Sequence, residues 1–210
     1  MKKLYVLLLI IITGTTFGYA QNYYQFKGGI SLSQTKLTSD QEMNLDALTS
    51  MHGGISFRLP YSKYFYIQPE LIFIRKGYTA KNETFDYKIN SKPFYVQLPF
   101  LFGAYPISGE NFKLFLHTGV QISIGVGGEI NEIRNNEEIT HKIKYGYTPL
   151  ENDYDPYDFG IVTGFGIELK KMNIGVSYDL GIKEIAAGNN PDLKMYSRCL
   201  NFYLGYIIAE

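Results

Sequence analysis

The sequence predicts an all-β chain, an eight-stranded antiparallel up-and-down transmembrane β-barrel. Three observations predict it. Strand-length segments alternate apolar and polar residues, the connections between them run long, short, long, short, long, short, long, and a leader precedes the whole. A wall that meets lipid outside and a polar lumen inside needs that alternation, and bacterial barrels pair short periplasmic turns with long outer loops.

Met1-Lys2-Lys3 is basic, Leu4 to Ile12 is unbroken and apolar, and Thr13 to Ala20 is more polar and ends in small residues. Residues 1–20 are therefore expected to be a signal peptide cut between Ala20 and Gln21, with residues 21–210 forming one barrel domain. The apolar run is about half of the roughly 20 residues that a spanning helix needs. Gln21 and not Cys stands directly after the leader, which disfavours a lipid anchor.

The first strand, from about Tyr23 to Ser33, sets Tyr24, Phe26, Gly28, Ile30 and Leu32 against Gln25, Lys27, Gly29, Ser31 and Ser33. The second opposes Gly53, Ile55, Phe57 and Leu59 to His52, Gly54, Ser56 and Arg58, and Pro60-Tyr-Ser-Lys63 turns the chain. In the third, Phe65, Ile67, Pro69, Leu71 and Phe73 face away from Tyr66, Gln68, Glu70, Ile72 and Ile74. Pro69 lacks a ladder donor, so a bulge is expected near it.

The fourth strand has Phe94, Val96, Leu98, Phe100 and Phe102 on one side and Tyr95, Gln97, Pro99, Leu101 and Gly103 on the other, before a tight Pro106–Glu110 connection. The fifth alternates from Phe112 to Val126, with Lys113, Phe115, His117, Gly119, Gln121, Ser123 and Gly125 inward. It exceeds the 9–11 residues that cross a bilayer and is expected to project beyond it. The sixth sets Phe159, Ile161, Thr163, Phe165, Ile167 and Leu169 against Asp158, Gly160, Val162, Gly164, Gly166 and Glu168. The seventh sets Ile174, Val176, Tyr178, Leu180 and Ile182 against Asn173, Gly175, Ser177, Asp179 and Lys183, and the eighth runs from about Leu193 to Ile208. Segments 34–50, 79–92, 129–157 and 184–193 are the expected long loops.

Twenty basic residues balance twenty acidic ones; without Lys2 and Lys3 the count is 18 to 20, a net of −2. That gives no electrostatic case for nucleic acid. The single cysteine, Cys199, has no internal disulfide partner and reads as a packed side chain.

Several phrases together resemble the PorT-like family of outer-membrane β-barrel proteins from Gram-negative envelopes. The most specific is Tyr66-Ile-Gln-Pro-Glu-Leu-Ile-Phe-Ile-Arg-Lys-Gly77, similar to the family's Gln-Pro-Glu-Leu phrase followed by a Lys-Gly pair. Tyr95-Val-Gln-Leu-Pro-Phe100, Tyr105-Pro106, Gly119-Val-Gln121 and Asp158-Phe-Gly160 follow in the family's order. The chain departs from barrels of this kind by ending on Tyr206-Ile-Ile-Ala-Glu210, where an aromatic residue is common. The resemblance implies a non-enzymatic barrel of the cell outer membrane, with a namesake associated with protein secretion.

Arg58, Glu70, Gln97, Lys113, His117 and Glu168 share the inward parity and are expected to form a polar network filling the lumen, since shielded charges need partners. A proton or ion path through them is the alternative, but eight strands leave little room for water. His117 and Ser123 also share parity, yet six residues separate them, about 20 Å along a strand, too far for nucleophile and base. The carboxylates of Glu151–Asp158 lack the Gly and closing Glu of a calcium loop and read as a solvated outer loop. Gly125-Val-Gly-Gly128 has no helix after it and reads as packing or a bulge. No phosphate-binding loop, zinc spacing or dinucleotide fingerprint is present, so neither a cofactor nor a metal is expected. The expected partners are outer-membrane lipid and, through the outer loops, chiefly 129–157, an envelope protein, a surface polymer or an extracellular molecule. A narrow channel for ions or small solutes is the second expectation.

Overall fold

The computed structural model describes residues 23–38, 45–82, 87–134, 137–148, 150–187 and 194–209. The expected leader, residues 1–20, lies outside them, as do the tips of several outer connections. Ten strands are formed among the described residues: β1 (Tyr23–Thr38), β2 (Leu45–Pro60), β3 (Phe65–Arg75), β4 (Tyr78–Asn82), β5 (Tyr87–Ser108), β6 (Lys113–Arg134), β7 (Glu137–Lys142), β8 (Tyr157–Leu169), β9 (Met172–Gly181) and β10 (Lys194–Ala209).

Eight of these close a ring in which every ladder is antiparallel. Its order is β1, β2, β3, β5, β6, β8, β9, β10 and back to β1, where Tyr23 pairs with Ala209 and Thr38 with Lys194. Closure removes the open edges that a sheet would otherwise present within a membrane. β4 and β7 stand outside the ring, β4 between β2 and β5 and β7 on the outer half of β6.

The alternation of the sequence becomes the two faces of this wall. Outward-facing Phe26, Val120, Phe165 and Leu204 are more than half exposed, while inward-facing Gln25, Ser31, Gln121 and Asp179 are buried. Chain turns at 61–64, 109–112 and 170–171 mark one end of the barrel. By the rule for bacterial barrels, that end is periplasmic.

Two expectations are corrected. Parts of three segments expected as long loops are strand, because the ladders continue past the barrel: β1 reaches Thr38, β2 starts at Leu45, β4 and the start of β5 lie within 79–92, and β6 with β7 pairs over 129–142, whereas the described residues of 143–156 and 184–187 form no named strand. Pairing satisfies the backbone there, which a polar sequence does not reveal. Nor does Pro69 offset the register. Pairing of β3 with β5 lapses between Pro69↔Phe100 and Ile72↔Gln97 and resumes in the same register, because Pro69 and Pro99 each lack a donor at the gap.

Register shifts fall elsewhere, between Phe94 and Tyr95 and between Ala104 and Ile107. The first leaves Val126 as the extra residue within Gly125-Val-Gly-Gly128, the position read as a bulge. Gly77 links β3 to β4 with φ +149°, and a Cβ there would lie 2.0 Å from the Ser91 carbonyl oxygen, so only glycine fits.

Candidate functional site: the filled lumen and the outer crown

Arg58, inward on β2, is the hub of the periplasmic half. Its Nε donates to Gln68 Oε1 at 2.6 Å, and its Nη1 donates to Tyr105 Oη at 2.6 Å and to Glu168 Oε2 at 2.5 Å. The guanidinium also lies over the Tyr66 ring, 4.3 Å from its centroid. Lys113 Nζ approaches the other oxygen of Glu168 at 3.2 Å. Gln68 Nε2 donates to Glu70 Oε1 at 2.6 Å, and Lys27 Nζ meets Glu70 Oε2 at 2.6 Å. One chain of contacts therefore runs Lys113, Glu168, Arg58, Gln68, Glu70, Lys27. Its three cations and two carboxylates brace five strands that are not all neighbours in the ring.

Above it the polar contacts are separate. Gln97 donates to Asp179 Oδ2 at 2.9 Å and to Gln121 Oε1, while Ser31 Oγ bonds His52 Nδ1 and Asn201 Oδ1, each at 2.7 Å. A cavity of about 20 Å³ lies among Lys27, His52, Glu70, Gln97, His117 and Asp179, room for about one water. Nearer the outer mouth, Lys76 Nζ lies 3.4 Å from Asp158 Oδ2 and 3.3 Å from Ser123 Oγ, and Ser197 Oγ donates to the same Asp158 oxygen at 2.6 Å.

Of the six residues expected in the lumen, Arg58, Glu70, Lys113 and Glu168 meet in one chain of contacts, and Gln97 sits with Asp179 and Gln121. His117 joins none of them: it is buried, neither ring nitrogen has a hydrogen-bond partner among the described residues, and its ring stacks on Phe115 at 5.7 Å. Ser123 contacts Lys76, so His117 and Ser123 do not form a nucleophile and base pair.

The sequence does not mark Lys27, Gln68, Lys76, Tyr105, Asp158 and Asp179 as members of the polar network, although parity places them inward. The signal that could have found most of them is the run of family-like phrases: Gln68, Lys76, Tyr105 and Asp158 all come from those phrases and converge in the lumen.

The outer mouth is closed by a segment that the sequence presents as a solvated acidic loop. Tyr154 is buried and bonds Ser91 Oγ at 2.6 Å, and burial holds its phenol well above the usual range. Tyr145 Oη donates to the Gly127 carbonyl at 2.8 Å, and its ring meets Tyr95 edge-on at 6.0 Å. Ile143, Tyr154, Ile185 and Met195 pack as an apolar cluster, with Tyr78 and Ile130 against it. Asp155 is drawn to Lys183 at 2.6 Å and Asp158 belongs to the lumen, so neither carboxylate is free in a loop. Aromatic burial overrides the acidic composition here. Among the described residues, no group of three or more His, Cys, Asp or Glu side chains is placed to hold a metal ion.

Outside the plug, β4, β7 and the outer halves of β5 and β6 form a crown. Every residue of β7 is exposed.

A closed ring with an apolar exterior and a charged, braced interior defines a membrane-spanning β-barrel protein. Residues 19–187 match the outer membrane protein beta-barrel domain family, and the chain belongs to it. The protein therefore resides in the cell outer membrane. Similar solved structures include Ail, the attachment invasion locus protein of Yersinia pestis, at 12% identity, TM-score 0.45, with 90% of this chain and 100% of that one covered. OprG of Pseudomonas aeruginosa is similar at 12% identity, TM-score 0.48, with 90% and 96% covered. Neisserial surface protein A is similar at 10% identity, TM-score 0.44, with 88% and 96% covered. No curated protein sequence matches the chain.

Proposed function

We propose that this protein is a non-enzymatic, non-conducting scaffold of the outer membrane whose crown engages a partner outside the barrel. The observation that carries the reading is the closed mouth: Tyr145 and Tyr154 fill it above a lumen already braced by ion pairs, while the β6–β7 hairpin stands exposed beside it. Among the described residues these side chains leave no open route for solutes, whereas a partner has an exposed platform. The PorT-like resemblance directs the search for that partner toward the secretion machinery of the envelope. Residues 1–20 act as the export signal and are removed, so the mature protein begins at Gln21; intact-mass measurement of protein from outer membranes tests this.

The main test pairs planar-bilayer recording with trypsin treatment of intact cells. The scaffold gives no steady conductance, and cleavage falls at Arg134 and Lys142, the basic residues of the hairpin. Steady conductance would establish the narrow channel instead, and a hairpin left uncut on dispersed intact cells would refute the exposed platform.

A further inference from the structure

Among the described residues, β7 pairs with β6 on one side only, and all six of its residues are exposed. One hydrogen bond fixes its backbone polarity. Ile143 N donates to the Gly128 carbonyl at 3.1 Å, one step beyond the pair Glu129↔Lys142. Antiparallel ladders alternate hydrogen-bonded and non-bonded pairs. Glu137, Ile139 and His141 therefore bond to β6, and Glu138, Thr140 and Lys142 direct their N–H and C=O groups away from it. Such an edge is a template for another strand.

The sequence of the edge specifies which strand. Placed antiparallel to a copy of itself about a two-fold axis at Thr140, Glu138 faces Lys142 and Lys142 faces Glu138, with Thr140 facing Thr140. All three are the residues whose backbone groups point outward, so the hydrogen-bonding phase and the charge pattern agree. Centring the axis on Ile139 instead puts Glu138 opposite Thr140 and loses both charge pairs.

We propose that β7 is a homotypic contact: it pairs antiparallel with β7 of a second copy of this chain, joining the two crowns into one sheet. An antiparallel partner runs in the opposite direction along the strand, so the second barrel is turned end for end and sits in a facing outer membrane. The contact is thus an adhesion between membranes. A six-residue edge binds weakly alone, and many copies on apposed surfaces supply the avidity. This inference rests on the crown's being the binding surface, and it names the partner as the protein itself.

The test uses full-length mature protein reconstituted into phosphatidylcholine vesicles carrying donor or acceptor dyes, with clustering read by light scattering and energy transfer. Wild-type vesicles cluster. Thr140→Pro removes an outward N–H without touching a bond to β6, and edge strands tolerate proline in that orientation. It lowers clustering at least tenfold while keeping the heat-modifiable gel band of a folded barrel. Glu138→Lys vesicles and Lys142→Glu vesicles each fail to cluster alone, because like charges then face each other. Mixed together, they cluster again. If Thr140→Pro fails to fold, the charge-swap arm decides the matter.

Dispersed wild-type vesicles, or clustering unchanged in all three variants, would overturn the pairing. The two readings separate cleanly. A hairpin that trypsin cuts on intact cells, together with vesicles that stay dispersed, overturns the homotypic contact and leaves the platform standing. A hairpin left uncut on dispersed cells, too dilute to touch one another, overturns the platform itself.

Discussion

Replacing Lys76 by Met is the sharpest probe of how the lumen is held. Lys76 and Asp158 lie 3.4 Å apart with side chains only 3% and 1% exposed, so neither charge has bulk water to fall back on. Without the ammonium group, Asp158 keeps, among the described residues, only Ser197 on one oxygen, and its Oδ1 has no partner there even in the intact protein. Removing one partner of a buried pair costs about 3–5 kcal/mol, because the other charge stays buried alone. At 1.36 kcal/mol per tenfold change, that is roughly two to nearly four orders of magnitude in the unfolding constant. The chain has no tryptophan, so unfolding in urea is followed by circular dichroism and by the heat-modifiable gel band. Lys76→Met combined with Asp158→Asn recovers most of the loss, since a neutral amide needs no counter-ion. Lys113→Met, whose side chain is 34% exposed, costs less than about 1 kcal/mol. A Lys76→Met protein within about 1 kcal/mol of wild type, or a double variant no better than the single, would show that the lumen is wet and the ion pair is unimportant.

Three further outcomes are expected. Val120→Arg puts a charge on the lipid face, where Val120 is 61% exposed, and should cost about 2–4 kcal/mol in folding assays in liposomes; a cost near zero would mean that this face does not meet hydrocarbon. Tyr154→Phe leaves Ser91, itself fully buried, without its 2.6 Å partner and should cost about 1–3 kcal/mol, read as a lower melting temperature; an unchanged melting temperature would place Tyr154 outside the mouth. Cys199 is 1% exposed, so a maleimide should label it only after unfolding; rapid labelling of the folded barrel would contradict the packed lumen.

Parity carried the fold. Arg58 and Glu168 could be assigned to the same face of the wall because a strand's side chains alternate without exception through those segments. Their contact was not legible, since it depends on how far each strand is staggered against the next around the closed ring. The same limit hid Lys27 beside Glu70 and Lys76 beside Asp158, although each residue's inward parity is plain. His117 shows the converse: correct parity places it in the lumen, but its ring stacks on Phe115 and makes no hydrogen bond among the described residues, although it borders the same small cavity as Glu70 and Asp179. Tyr154 was obscured by its neighbours, because a stretch with Glu151, Asp153 and Asp155 reads as solvated while one aromatic ring inside it is buried. The crown was obscured because Glu129–Lys142 is too polar to signal a strand, and its order comes from a ladder begun in the membrane.

That ladder links the two halves of the molecule. β6 runs without a break from Lys113, which contacts Glu168 at the periplasmic end, to Arg134, which pairs with Glu137 at the tip of the crown. Twenty-two residues of strand extend roughly 70 Å at about 3.3 Å per residue, well over twice the thickness of a bilayer core even before tilt. The outer part of β6 therefore has no lipid to support it and depends on what fixes its lower part. Contacts across the lumen supply that fixation: Lys76, just past β3, reaches Ser123 of β6 and Asp158 of β8, and Arg58 of β2 holds Glu168 of β8, the ladder neighbour of β6. A lumen filled in this way gives up conduction and gains stiffness. Stiffness is what an edge strand needs if it is to hold three outward N–H groups in register for a partner, because an edge ordered before contact loses less entropy on pairing.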